Sequence, residues 1–458
     1  MKRGPQQRQK KDLSADGLLK VAKNAFKQSF PLDASSASNP SDAGSSPNTM
    51  GRPRTITTVD CLMSAVAMFS LKSPSLYAFD QAIENETVAH NLLNLYGVKT
   101  PPSDTYMRER LDEVNPRLLR GAFLDIFETA QRGKLLDDYR FLDGYLLAVD
   151  GSQIFSSEKV HCEHCCEKHH HDGRVTYHHN ILGAAIVCPG RHTVIPLCPE
   201  PITKQDGATK NDCESNAGRR FLDDLKAEHP KLRLTIVWDA IIANAPNINY
   251  ITSLGYHYIV NVKPGSNRSL FEWIKDLDLR TVKSVDGNVH RQFRYVNNIP
   301  LNNTQGAPEV NFLEVIETKI HPKTKEVIKK TTFTYVTDHV IDDNNVYLIM
   351  AGGRARWKIE NETFNTLKNQ GYQFEHNFGH GNKYLHTNFA LLMMMAFLID
   401  QIQEAACGLF QAALKTMKTR RTFWERLKSF FHLFRIETWA DVFTAIASDF
   451  NGPALNTS

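Results

Sequence analysis

The stretch Gly353-Arg354-Ala355-Arg356-Trp357-Lys358-Ile359-Glu360-Asn361-Glu362-Thr363-Phe364-Asn365-Thr366-Leu367-Lys368 is the part of the sequence that best predicts the fold. Its apolar residues recur at helical spacing and share one face: Ile359, Phe364 and Leu367. Arg356, Glu360 and Lys368 lie along another face, so two cations flank one acid on a single rigid element. Solvated amphipathic helices show the same pattern, and there an Arg/Glu pair four residues apart contributes only about 0.2–0.5 kcal/mol.

Two apolar stretches earlier in the chain each close on an aspartate. They are Tyr145-Leu146-Leu147-Ala148-Val149-Asp150 and Leu234-Thr235-Ile236-Val237-Trp238-Asp239. A continuous apolar run that ends on an acid predicts a buried strand that ends with a carboxylate at the edge of a sheet. A single aspartate in such a place often only caps the next helix. Together with Glu360, however, the two aspartates form a set of three carboxylates, and Mg²⁺ requires oxygen ligands of this kind.

Three short segments then carry a resemblance to a known family. Val149-Asp150-Gly151-Ser152, Val237-Trp238-Asp239 and Arg356-Trp357-Lys358-Ile359-Glu360 resemble the catalytic stretches of bacterial insertion-sequence transposases of the Asp-Asp-Glu class. The branch concerned has a Tyr, Arg, Glu, Lys signature around its last acid. The resemblance runs from about residue 141 to about residue 385.

Two positions depart from that signature. The Tyr expected three residues before Arg356 is Gly353, and the Lys expected seven residues after Glu360 falls one place late, at Lys368. Glu362 is therefore a rival for the third acid, although the Arg-Trp-x-Ile-Glu phrase favours Glu360.

The resemblance implies an α/β fold with a ribonuclease-H-like (retroviral-integrase-like) catalytic core, a β-rich insertion and an N-terminal helical domain. It implies that Asp150, Asp239 and Glu360 hold two Mg²⁺ ions, for which Mn²⁺ is able to substitute, with Arg356 and Lys368 as DNA phosphate contacts. The implied activity is cleavage and joining of DNA strands at the ends of an insertion sequence. Its partners would be double-stranded DNA, as element ends and target, and a second copy of the chain in a homodimer on DNA. The alternatives are a ribonuclease-H-like nuclease without strand transfer and a DNA-binding protein that has lost catalysis.

The chain divides by composition and pattern into four predicted parts. Residues 1–50 are a basic, Ser/Pro-rich stretch that we expect to be disordered. Residues 51–140 form a helical domain that either binds DNA or braces the catalytic domain, residues 141–400 form the catalytic domain with its β-rich insertion at 265–350, and residues 401–458 form a basic helical region. Gly51-Arg52-Pro53-Arg54 is similar to a minor-groove hook in which Arg52 and Arg54 contact DNA, with a plain linker as the alternative.

Within the catalytic part, two groups of residues have further interpretations. Lysines on the turns of the insertion either contact DNA or are solvated strand ends: Lys319, Lys323, Lys325, Lys329 and Lys330. Three acids before a predicted helix either assist the metal site or favour the helix dipole: Asp206, Asp212 and Glu214.

Cysteine usage and charge bear on the compartment and on a second metal. The 458 residues include 8 Cys and carry a net charge of +4, which permits a polyanionic partner without requiring one. With no secretory leader and no apolar run long enough for a bilayer, we expect reduced thiols in a cytoplasmic, nucleoid-associated protein. Cys162 and Cys165 have the gap of a zinc half-site, which the run His169-His170-His171 is able to complete; a metal-free loop is the alternative.

Overall fold

The computed structural model describes residues 12–31, 56–204 and 212–448, and within them the fold is mixed α/β. Its strands join in one 12-stranded sheet. They are β1 (Arg140–Phe141), β2 (Gly144–Ser157), β3 (Cys166–His169), β4 (Val175–Val187), β5 (Ile195–Pro196), β6 (Glu200–Ile202), β7 (Leu234–Trp238), β8 (His257–Asn261), β9 (Arg280–Asp286), β10 (Val289–Pro300), β11 (Glu309–Ile320) and β12 (Val327–Thr337).

The centre of the sheet is built from buried apolar strands. The main path runs β3-β4-β2-β7-β8-β12-β11-β10-β9, with β5 and β6 paired to β4. Strand β2 is antiparallel to β4 and parallel to β7, and β7 is parallel to β8. All of β7 is buried, as is β2 from Gly144 to Val149, because the sheet is covered on both faces at its centre.

The sequence predicts that a strand ends at Asp150, and this prediction is wrong. Strand β2 continues to Ser157 because β4 goes on pairing with it as far as Tyr177. What does end near Asp150 is the pairing of β2 with β7, whose last register pair joins Ala148 to Val237. The change from apolar to polar residues at Asp150 therefore marks the end of the pairing of β2 with β7, and not the end of β2.

The strands predicted for the insertion are present, and they extend the central sheet. Strand β12 pairs with β8, and β11, β10 and β9 follow in order, all antiparallel. The short apolar run Val346–Met350, at the end of the predicted β-rich insertion, was predicted as a further strand, and this prediction is wrong, because these residues belong to a helix that runs from Val346 to Ala355. Its buried residues Val346, Ile349 and Met350 have helical spacing, and a five-residue apolar run does not by itself distinguish helix from strand.

Helices surround the sheet and form most of the N- and C-terminal parts. They are α1 (Ala15–Ser29), α2 (Thr58–Ser70), α3 (Leu76–Ile83), α4 (Glu86–Asn91), α5 (Asp104–Asp112), α6 (Arg120–Arg132), α7 (Glu214–Glu228), α8 (Ala245–Ser253), α9 (Arg268–Asp276), α10 (Val346–Ala355), α11 (Asn365–Asn369), α12 (Leu385–Ala406), α13 (Gly408–Met417), α14 (Arg420–Leu433) and α15 (Trp439–Ala447). Helix α12 is the one around which the others pack, since it contacts α1, α2, α5, α6 and α13. It is long and apolar enough to cross a membrane, but 78% of its most apolar window is buried inside the protein, as in a core helix.

The prediction of a disordered tail over residues 1–50 is wrong for Ala15–Ser29. These residues form α1, which Ser14 caps by accepting a hydrogen bond from the N–H of Gly17. Its buried face, which includes Leu18 and Phe26, packs on α6 and α12. The Ser- and Pro-rich composition farther along masked this amphipathic segment. Arg52 and Arg54, predicted to contact DNA, lie outside the described residues.

Candidate functional site

Asp150 and Asp239 lie on neighbouring parallel strands at the point where the pairing of those strands ends. The register of β2 with β7 runs as far as Ala148 opposite Val237. Continued by two residues, it brings Asp150 opposite Asp239, and neighbouring strands lie about 4.8 Å apart. Strand β7 ends at Trp238, so Asp239 is the first residue beyond it. The backbone of the sheet thus brings together two aspartates that are distant in sequence.

Glu360 reaches the same place from the helical segment after α10. It lies in a π-helical turn, Ile359–Phe364, that packs on β2 and β4. The Nη1 atom of Arg356 donates to Glu360 Oε1 at 2.8 Å and to Asp150 Oδ2 at 3.4 Å. Because only 12% of the Arg356 side chain is exposed, these charge contacts are less screened than those on a protein surface.

The carboxyl groups of this site oppose one another's ionisation. The pKa of Asp150 is raised to about 7, mainly by burial, although the charge of Arg356 acts in the opposite direction. The neighbouring carboxyl of Glu360 and the charge of Glu214 contribute to this rise. Burial also raises the pKa of Glu214, the first residue of α7, and the charge of Asp239 adds to the effect. Carboxyl groups crowded in this way are typical of functional sites, including those that bind cations.

The three predicted catalytic carboxylates nevertheless do not all lie within ligand distance of one another. In the described part of the chain, two sets of three or more His, Cys, Asp or Glu side chains have ligand atoms within 4.8 Å of one another, and neither set includes Asp150, Asp239 or Glu360. Arg356 holds two of these carboxylates, while Asp239 Oδ1 accepts a hydrogen bond from the N–H of Ile241 at 2.9 Å. Rotation of side chains is enough to change the contacts of Arg356 and of Asp239. The alignment of the two aspartates, by contrast, is fixed by the backbone, because it follows from the strand register.

Of the two glutamates that compete for the third position, Glu360 is the one beside Asp150. The two glutamates diverge although they share the π-helical turn. The Oε1 atom of Glu362 lies 3.3 Å from Nδ1 of His192, an exposed residue of the β4–β5 connection. Glu360 instead shares Arg356 with Asp150. The geometry therefore favours Glu360 over Glu362.

One of the two departures from the signature expected around Glu360, at Gly353, has a structural explanation. A Cβ added to Gly353 would lie 2.5 Å from the ring of Tyr335, so a larger side chain has no room there. The tyrosine ring beside this position of the helix is therefore that of Tyr335 on β12, and not that of a tyrosine at position 353. Lys368, expected to contact phosphate, forms an ion pair with Glu375, with Nζ and Oε1 2.9 Å apart.

Gly183 determines how closely the turn with Glu360 approaches the sheet. It lies opposite Asp150 in the β2–β4 register, and a Cβ added to it would lie 2.7 Å from the ring of Phe364. We expect Gly183→Ala to lower the free energy of unfolding by about 1–3 kcal/mol, because a rigid buried ring has to move. Urea denaturation measures the change. Gly265→Ala is the control, because a Cβ there has open space; equal stability of the two variants would contradict the packing described.

Arg117 and the aromatic residues of the basic C-terminal helix α14 are engaged within the protein. Arg117, in the helical part predicted to bind DNA, pairs with Asp224 at 2.8 Å. The aromatic residues of α14, such as Phe423 and Phe431, are buried. Basic residues among aromatic ones suit either a phosphate contact or a helix docked on the core, and the burial of these rings is the arrangement expected of a docked helix.

Cys162 and Cys165 meet two histidines that are not in the predicted run His169–His171. The Sγ atom of Cys165 lies 3.3 Å from Nε2 of both His179 and His380, and Cys162 Sγ lies 3.4 Å from the same atom of His179. The two predicted cysteines therefore lie together, but the histidines beside them are not those of the predicted run, because β3 carries that run away from the pair.

The second set within 4.8 Å consists of His257, Asp338 and His339. Hydrogen bonds engage each member, since His257 Nδ1 lies 2.7 Å from Asp338 Oδ2 and His339 Nε2 lies 3.0 Å from Thr235 Oγ1. These bonds tie β8 and β7 to the segment that follows β12, which is a structural role.

No protein-family model matches the chain, and a search of curated proteins finds no match. An assignment of function therefore depends on the positions of the residues described above and on the chemistry that those residues allow.

Proposed function

We propose that the protein is a metal-dependent DNA transposase that cleaves and joins DNA strands at the ends of an insertion sequence. The observation that carries the proposal is the alignment of Asp150 and Asp239 where the pairing of two parallel strands ends, with Glu360 joined to Asp150 through the guanidinium of Arg356. The sheet order also agrees with a ribonuclease-H-like core. In this comparison β2 and β4 are the first two antiparallel strands, and the short β5 and β6, which both pair with β4, together take the place of the third. Strands β7 and β8 are the two parallel ones.

The donor set suits Mg²⁺, because it consists only of carboxylate oxygens. Asp150, Asp239 and Glu360 would hold the metal, and Glu214 lies close enough to Asp239 for the charge of Asp239 to raise the pKa of Glu214. Two bound Mg²⁺ ions would supply activation of the attacking hydroxyl and stabilisation of the departing oxygen. Arg356 pairs with both Asp150 and Glu360, yet the pKa of Asp150 is still raised, which is consistent with a site that a bound cation would stabilise.

Arg356 has a second role in this proposal. Its guanidinium donates to Glu360 and Asp150 together, so it fixes the orientation of both carboxylates. When a cation takes over that charge, the same guanidinium is free to bind a phosphate oxygen of DNA by the bidentate hydrogen bonds that arginine favours.

The β11–β12 hairpin offers a contact for the DNA backbone. Residues 321–330 are all exposed, and they include four lysines and one acid. These residues are Lys323, Lys325, Lys329, Lys330 and Glu326. A cationic hairpin that extends the catalytic sheet fits a sequence-independent phosphate contact, whose strength would fall as salt rises.

We expect the purified protein to cleave linear DNA that carries its own gene with the flanking genomic sequence, and to do so only with Mg²⁺ or Mn²⁺. Because Asp150 holds a proton up to about pH 7, a metal ion has to displace that proton. At subsaturating Mg²⁺, cleavage should therefore fall about tenfold for each pH unit below 7 and level off above it. Gel analysis of end-labelled DNA between pH 5.5 and 8.5 measures this dependence.

The products separate the proposal from its alternatives. Strand joining to a target plasmid indicates transposition, whereas cleavage without joining indicates a nuclease. Cleavage that persists in excess chelator, or its absence with both metals, would refute the proposed chemistry. Saturating Mg²⁺ should remove most of the pH dependence, since the metal then outcompetes the proton.

A further inference from the structure

The loop between β2 and β3 folds its two cysteines onto two histidines from distant parts of the chain. His179 lies on β4, and His380 lies in the segment between α11 and α12. One ligand atom from each of the four side chains lies within 4.8 Å of every other. We propose that these four side chains bind one structural Zn²⁺ ion: Cys162, Cys165, His179 and His380.

The spacing of the ligand atoms matches a tetrahedral zinc site. With Zn–S near 2.3 Å and Zn–N near 2.0–2.1 Å, tetrahedral geometry places two sulfurs about 3.8 Å apart and a sulfur and a nitrogen about 3.6 Å apart. Here the two Sγ atoms are 3.9 Å apart, and the S···N distances are 3.3, 3.3 and 3.4 Å. All four distances lie within about 0.3 Å of the ideal values.

The orientation of His380 is the one that a metal ligand needs. Its Nδ1 donates a hydrogen bond to the carbonyl oxygen of Gly381 at 2.9 Å. Because a carbonyl can only accept, Nδ1 carries the proton and Nε2 keeps its lone pair, directed at the cysteines. A second hydrogen bond of this kind commonly fixes the tautomer of histidines that bind metals.

The site is closed, which indicates a structural and not a catalytic ion. Cys165, His179 and His380 are 1%, 2% and 7% exposed, and the ring of Phe155 covers His380 with centroids 4.5 Å apart. Four protein ligands leave no position for water or substrate, which catalytic zinc retains. The site therefore differs in ligand chemistry and in role from the carboxylate site.

The proposed ion would connect the two segments that carry the carboxylates. Cys162, Cys165 and His179 belong to the hairpin extension of β2, the strand of Asp150. His380 belongs to the segment that follows the turn of Glu360. The backbone of this segment is also held by Asp112, which accepts from the N–H groups of four consecutive residues, 382–385. Zinc would thus fix the hairpin to the segment, whether or not the carboxylates catalyse DNA cleavage.

The test is the zinc content of untagged protein produced in zinc-supplemented medium, measured by mass spectrometry. We expect one zinc per chain in the wild type and background levels in Cys165→Ser. In His380→Ala, affinity measured by chelator competition should fall by more than the roughly 10- to 100-fold that loss of an outer hydrogen-bond partner costs. Protein loaded with Co²⁺ should show the strong visible bands of a tetrahedral thiolate site, and Cys165→Ser should lose them.

Two controls match these variants in residue type. Cys213→Ser removes an exposed cysteine, and His169→Ala removes a histidine of the run first predicted as ligands. Both should keep one zinc per chain. Loss of zinc in His169→Ala with retention in His380→Ala would overturn the ligand set. A zinc-free wild type, or one with a Cys162–Cys165 disulfide in reducing buffer, would overturn the site itself.

A variant that fails to fold does not prevent the test. In the wild type, a mercurial reagent that blocks thiols should release one zinc per chain, detected by a chromogenic chelator. Release of no zinc would contradict the proposal. Because these readouts concern zinc alone, they are independent of DNA cleavage, and either proposal can fail without the other.

Discussion

Asp239→Asn is expected to lower the rate of Mg²⁺-dependent DNA cleavage by about 10³-fold or more. If the carboxylate holds a catalytic metal, its loss removes several kcal/mol of transition-state stabilisation, and each 1.36 kcal/mol is worth a factor of ten. At this position the effect of removing the negative charge can be measured separately from any effect on folding. Asp239 caps a short 3₁₀ helix, Ala240–Ile242, by accepting from the N–H of Ile241, and an asparagine oxygen caps equally well. Thermal unfolding should therefore be unchanged while cleavage is lost.

Glu362→Gln is the matched control for this experiment. Glu362 lies two residues from Glu360 in the same π-helical turn, but its carboxylate faces His192, whose side chain is 84% exposed. The variant should cleave at the wild-type rate, and Glu360→Gln should not. If Asp239→Asn retains full cleavage, the aspartates are only helix caps. If Glu362→Gln is the inactive glutamate variant, the third acid has been misassigned.

The parts of the fold that depend on local pattern could be predicted from the sequence. The apolar runs before Asp150 and Asp239 predicted two buried strands, and β2 and β7 are found there. The longest apolar run, Phe389 to Ile399, is too short to span a bilayer and therefore predicts a core helix, and α12 contains it. In each case the buried residues are consecutive, so the apolar composition of the segment is enough to predict its burial.

The sequence could not reveal features that depend on a distant neighbour. Whether β2 ends at Asp150 depends on β4, which is still paired there after β7 has ended. The same limit applies to the partners of Cys165. A nearby run of histidines was the natural choice, yet the fold supplies His380, more than two hundred residues away. The tandem His178-His179 in a strand was the one local signal that the sequence offered.

The predicted division of the chain is also affected by such distant contacts. The helices of residues 56–140 pack against α12 and against the C-terminal helices. Asn91, at the end of α4, donates to the carbonyl oxygens of Phe431 and Phe434 at 2.8 Å each. The buried amide of Asn91 thus supplies hydrogen bonds to carbonyl groups at the C-terminal end of α14. The N- and C-terminal helices therefore share one core. We infer that they unfold together.

Lys72→Met tests that inference and is expected to lower the free energy of unfolding by about 3–5 kcal/mol. Lys72 follows α2, and its Nζ lies 2.7 Å from Asp400 Oδ2 on α12, with side-chain exposures of 2% and 13%. The ammonium also lies 4.0 Å from the ring centroid of Trp424 on α14. Methionine fills a similar volume but leaves the Asp400 carboxylate buried without its cation. The cost is therefore that of an uncompensated charge, measured by urea denaturation.

The double variant Lys72→Met/Asp400→Asn separates this cause from lost packing. Asparagine carries no charge and still accepts the hydrogen bond that Tyr372 donates to Asp400. If the buried charge is the cause, the second substitution should recover most of the stability, because a neutral pair costs little where an isolated ion costs much. Burial raises the pKa of Asp400 and Lys72 opposes that shift, so the single variant should regain stability as the pH falls and Asp400 takes up a proton. A double variant less stable than Lys72→Met would show instead that packing around the ammonium, and not its charge, holds these helices together.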